Sequence, residues 1–168
     1  MEISSLLQLT AVSALLVGPT SIIASLLTEE IEERYPQLQW LFFVNSIFLA
    51  LAFLGLYLYQ SESIGPLGLA GYITALVAVL LMERPSKISG MESWEFGGAI
   101  IAIATIFMAL ATFSTGRFPT HIPTLMLTGI VLGIPAVFIK SYQRIGYILG
   151  GIAFGAAMLL AGNFMLAN

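Results

Sequence analysis

LQWLFFVNSIFLALAFLGLYLY, residues Leu38–Tyr59, carries no charged side chain and has one amide, Asn45, near its middle. As a helix rising 1.5 Å per residue, about 22 residues reach ~33 Å, enough to cross a hydrocarbon core of ~30 Å. A soluble protein has little use for a helix that is apolar on every face, whereas a bilayer accepts one directly.

Five more stretches of the same kind flank it. They are Leu6–Leu27, Ile64–Met82, Phe96–Phe113, Ile122–Ile139 and Ile145–Leu166, separated by short polar or Pro/Gly-punctuated loops. Only 9% of the 168 residues are charged and the mean hydropathy is +0.97, against roughly 25% charged in soluble domains. The expectation is an all-α integral membrane protein, a six-transmembrane-helix bundle forming a single transmembrane domain over 1–168, with the lipid bilayer as its first partner. Met1-Glu2-Ile3 lacks the positive leader of a signal peptide, so the first span is expected to remain in the protein.

Every Lys, Arg and Glu lies outside these six spans. Arg34 is in the first loop, Arg84 and Lys87 in the third, Lys140 and Arg144 in the fifth; only Arg117 is in an even-numbered loop. Cytoplasmic loops collect Lys and Arg, and acidic residues weigh little. Loops one, three and five are therefore expected in the cytoplasm, with both termini on the non-cytoplasmic side. Tyr35, Trp40, Tyr57, Tyr59, Trp94, Phe118, Tyr142 and Tyr147 fall near span ends, where aromatic rings favour the headgroup level.

Three pairs of short matches suggest a duplication. Arg34-Tyr35-Pro36 recurs as Arg117-Phe118-Pro119, Tyr59-Gln60 as Tyr142-Gln143, and Gly71-Tyr72-Ile73 as Gly146-Tyr147-Ile148. The first two pairs share one offset. Halves 1–84 and 85–168 would each hold three spans, and an odd number of crossings inserts the second half upside down. That is the inverted repeat on which many transporters are built.

The interior chemistry is sparse. With no cysteine, no aspartate and one histidine, His121, the chain lacks the donors for thiolate or multi-histidine metal sites and for haem. No catalytic residue, metal or cofactor is expected, hence no enzyme, and no basic cluster offers a surface for nucleic acid. Proton-coupled machinery places ionisable groups at bilayer depth, and these spans have none. The neutral polar residues remain. Thr20, Ser21, Asn45, Ser46 and Thr128, with Pro135, are the candidate substrate pathway, because Gly18-Pro19 and Gly133/Pro135 could break helices at a binding site. Glycines at 65, 68 and 71, 129 and 133, 146 and 150, and 151 and 155 have the spacing that lets membrane helices approach closely, within the bundle or toward a second copy or partner.

Two short matches touch known families. Glu29-Glu30-Ile31-Glu32-Glu33-Arg34 resembles the EExxxR element of CAAX-processing intramembrane proteases, but the two histidine-containing elements of that family are incomplete here. Pro66–Tyr72 resembles the PLGLxGF segment of the acetate-uptake transporters, although it introduces the third span rather than the first and lacks the preceding Asn-Pro-Ala. Two functions follow as expectations: a channel or facilitator for a neutral or weakly charged small solute, or a non-catalytic accessory or scaffold subunit of a larger membrane complex.

Overall fold

The computed structural model describes residues 3–27, 39–82, 87–88 and 91–168. Among the described residues six helices form: α1 (Ile3–Leu26), α2 (Gln39–Tyr59), α3 (Gly65–Met82), α4 (Ser93–Thr115), α5 (His121–Phe138) and α6 (Gln143–Ala167). Between α3 and α4, Lys87 pairs with Glu92 and Ile88 with Met91 in an antiparallel two-residue ladder. The acidic run Glu29, Glu30, Glu32, Glu33, together with Arg34, Tyr35 and Arg84, lies outside the described residues, as does one arm of the first repeat match.

Five helices are long and apolar enough to cross a membrane. The sixth, α5, has a shorter apolar stretch, His121–Ala136. Its backbone leaves the helix at Ile139, which is extended at φ −114° and ψ 97°. The helix boundaries fall within about three residues of the expected spans because charge and Gly/Pro punctuation mark them. Helices α4 and α6 begin two to three residues earlier than expected, so Glu95 lies in the first turn of α4 and Arg144 in the first turn of α6.

Each helix packs on its chain neighbours, and α6 returns to α1, closing a ring. Gly162 meets Ala11 and Leu15, Gly155 meets Gly18, and Gly151 meets Ser25, so α6 runs antiparallel to α1. A Cβ on Gly155 would stand 2.6 Å from the Gly18 carbonyl oxygen, and one on Gly150 would stand 2.9 Å from the Gly129 oxygen. Only glycine permits such backbone approach. Gly18 is thus a packing position and not a helix break. Both α1 and α5 run through Pro19 and Pro135 as continuous helices, which removes the expectation of discontinuous helices at these points.

Closeness is uneven around the ring. The chain α5–α6–α1–α2 forms one closely packed body, and the α3–α4 hairpin forms another, with Gly71 against Met108 and Gly97 against Ala78. The α2/α3 and α4/α5 seams between these bodies are thinner. Ile3 of α1, Ala167 of α6 and the turns 60–64 and 116–120 share one end of the bundle, called the even end below; Leu26, Gln39, Met82, Ser93 and the turn 139–142 share the other, the odd end. The outward surface is apolar, with Leu80 and Val131 among its most exposed residues, as a helix facing lipid requires.

Candidate functional site

A half-open pocket of about 240 Å³, called the cavity below, lies where the two bodies meet. Ser21 of α1, Leu49 of α2, Ile101 and Thr105 of α4, Gly129 and Ile130 of α5, and Gly150, Gly151 and Phe154 of α6 line it. Five of the six helices therefore contribute. Measured by helix rise from the odd end, these residues lie roughly 7–18 Å deep, from the odd half of the bundle to about the midplane. Gly129, Gly150 and Gly151 reach its wall as backbone, and a Cβ on any of them would meet the neighbouring helix instead of the open space. Its wall is almost entirely apolar, and Ser21 and Thr105 are the lining residues that carry hydroxyls. The Thr105 hydroxyl donates to the Ile101 carbonyl at 2.8 Å and keeps its lone pairs free to accept from a ligand.

Of the six residues expected to form a pathway, only Ser21 lines this cavity. Thr20 and Asn45 form a separate bridge between α1 and α2. Thr20 Oγ1 lies 2.5 Å from Asn45 Oδ1 and 2.7 Å from the Leu16 carbonyl oxygen. One hydroxyl hydrogen cannot serve both acceptors. Turning the Asn45 amide lets its NH2 donate to Thr20 while Thr20 donates to Leu16, so every group is used. Ser46 is buried and donates to the Phe42 carbonyl at 3.0 Å. Thr128 donates to the Thr124 carbonyl at 2.9 Å. Pro135 is half-buried in the last turn of α5. Ser46 and Thr128 thus bond within their own helices.

The most heavily bonded polar residue was not among the expected candidates. Gln60 closes α2 and is fully buried. Its Nε2 donates to the Leu56 carbonyl at 2.9 Å and to Thr112 Oγ1 at 3.1 Å, and its Oε1 accepts from Thr115 Oγ1 at 2.6 Å. The Gln60 carbonyl caps the turn by accepting from the Ser63 and Ile64 amides, both at 2.9 Å. Above this cluster, Arg117 and Glu62 form a 2.6 Å ion pair, with side chains 41% and 80% exposed. Beside it, Tyr59, Phe118 and Phe164 pack ring on ring, with centroids 5.0–6.1 Å apart. Phe118 lies at the helix ends, as its place near a span end implies, but is buried among these rings rather than facing outward. The equivalent glutamine of the apparent repeat, Gln143, is exposed, and no sequence signal separates the two.

Among the described residues no group of three His or Glu side chains could hold a metal ion. Comparison with family models, with curated proteins and with solved structures finds no match to this chain.

Proposed function

We propose that the protein is a membrane facilitator for a compact, neutral small solute, held in the cavity between the α3–α4 hairpin and the other four helices. The observation that carries this reading is the cavity itself, built by five helices and lined by glycine, apolar side chains and two hydroxyls. A cavity of ~150 Å³ holds benzene, so this one suits a molecule modestly larger. A bare ion would lose its hydration with nothing to replace it. A neutral molecule with one or two hydrogen-bonding groups, such as a small alcohol or amide, could meet Ser21 and Thr105.

The distribution of Lys and Arg supports an odd end in the cytoplasm and termini on the other side. For the inverted repeat, a two-fold axis relating α1–α3 to α4–α6 would exchange the two closely packed pairs α3/α4 and α6/α1, but it would also exchange the thin α2/α3 seam with the close α5/α6 pair, so the packing is not symmetric between the halves.

Proteoliposomes loaded with small alcohols, amides and polyols test the function. Flux above protein-free vesicles is expected for at least one, and Thr105→Phe, which fills the cavity, should abolish it. Flux equal to empty vesicles across the panel would refute the reading. The second reading, a non-catalytic subunit of a larger complex, is favoured by the spent hydrogen-bonding groups of Thr20, Asn45, Ser46 and Thr128. Recovery of a stoichiometric partner in mild detergent would support it.

A further inference from the structure

We infer that the Gln60–Thr112–Thr115 cluster is a latch that holds the even end of the solute path shut across the seam between the two bodies. The inference rests on the facilitator reading and names its gate. The argument begins with the seam. Helix α2 belongs to the four-helix body and α4 to the hairpin, and the two meet over little of their length. Where they do meet, at the even end, they are joined by hydrogen bonds from the Gln60 side chain to two hydroxyls, and by the Glu62–Arg117 pair. Tyr57 of α2 stacks on Tyr72 of α3 across the other side of the hairpin, with centroids 5.8 Å apart.

Beneath the latch, Phe53, Met108, Met126 and Met158 are fully buried within one apolar cluster. Helix rise puts them roughly 18–23 Å from the odd end, beyond the pocket and short of the latch. Methionine and phenylalanine side chains hold no hydrogen bonds that bind them to one arrangement, and methionine repacks readily. The directional contacts that resist separation of α2 from α4 are therefore those of Gln60. A rocking of the hairpin about the thin seams would part the plug and connect the cavity to the even end, provided that Gln60 releases Thr112 and Thr115. A fully buried amide making three side-chain hydrogen bonds is a costly feature to place at a helix end solely for packing, because any unmet bond there is penalised.

The absence of native cysteines makes the test direct. Ala52 lies about two turns inward from Gln60 on α2, between the Gln60 face and the Gly55 face that meets α1, and is fully buried. Ala157 is equally buried but lies on α6, within the four-helix body. Single variants Ala52→Cys and Ala157→Cys, purified in detergent, are labelled with a water-soluble maleimide in the Gln60, Gln60→Leu and Thr115→Val backgrounds. When opening is faster to reverse than to label, the rate reports the open population. Two interhelical hydrogen bonds of the usual membrane strength correspond to about an eightfold change in that population. Labelling at position 52 should rise by about that factor in Gln60→Leu and by less in Thr115→Val, while position 157 stays unchanged. Equal rates at position 52 in all backgrounds would overturn the latch, and so would a parallel rise at 157, which would mean general loosening. Where Gln60→Leu fails to fold, Thr115→Val decides alone. Faster labelling at 52 without solute flux in vesicles would uphold the latch and refute the facilitator reading.

Discussion

Replacing Gly155 by alanine adds one methyl group, and the geometry states what it must displace. The new Cβ would sit 2.6 Å from the Gly18 carbonyl oxygen and 2.8 Å from Ile22 Cγ1. Ordinary contact begins near 3.4 Å, so α1 and α6 must separate locally by ~0.8 Å, a gap that forfeits a quarter to a half of each affected dispersion contact. With a few tens of atom pairs at ~0.1–0.2 kcal/mol each, the loss is about 1–3 kcal/mol, the usual cost of overpacking. The obstacle is backbone on one side, which cannot rotate away. Gly133 is the control, because nothing lies within 4 Å of a Cβ there. Gly133→Ala should be neutral, or stabilising by up to ~1 kcal/mol through helix propensity. Both glycines belong to GxxxG spacings, so motif reasoning treats them alike. Unfolding in mixed micelles with increasing SDS, followed by circular dichroism, measures the difference. If Gly155→Ala and Gly133→Ala destabilise equally, the backbone contact between α1 and α6 is refuted.

Three further outcomes are expected. A double-mutant cycle of Thr20→Val and Asn45→Leu in the same assay should give a coupling of about 0.6 kcal/mol and well under 2, since one interhelical hydrogen bond is shared. Arg117→Ala should cost less than about 1 kcal/mol, and the cost should shrink in high salt, because the pair with Glu62 faces solvent; a larger, salt-insensitive loss would contradict an exposed pair. In intact cells, Lys87→Cys should resist a membrane-impermeant maleimide added outside and react after permeabilisation, and labelling from outside would reverse the proposed orientation.

The membrane class and the helix boundaries were legible in the sequence because they depend on local properties. A helix must cover the hydrocarbon thickness, and charges cannot enter it cheaply. Leu38–Tyr59 and Ile64–Met82 therefore became α2 and α3 within a residue at each end. Their arrangement depends on contacts between distant parts of the chain. Thr20 and Asn45 were recognised as polar residues in apolar spans, but only tertiary packing shows that they bond to each other instead of lining a path. Gln60 and Gln143 occur in the same dipeptide context; one is sealed under Thr112 and Thr115, and the other faces outward. Gly18 reads as a break beside Pro19, yet it is where α1 touches α6. Hydropathy thus decided that six apolar helices form, since each answers to the bilayer alone. Which faces meet, where the glycines let backbones touch, and which polar groups bond across helices were decided by the tertiary structure, because lipid solvates all apolar faces alike and only close packing and hydrogen bonds distinguish them.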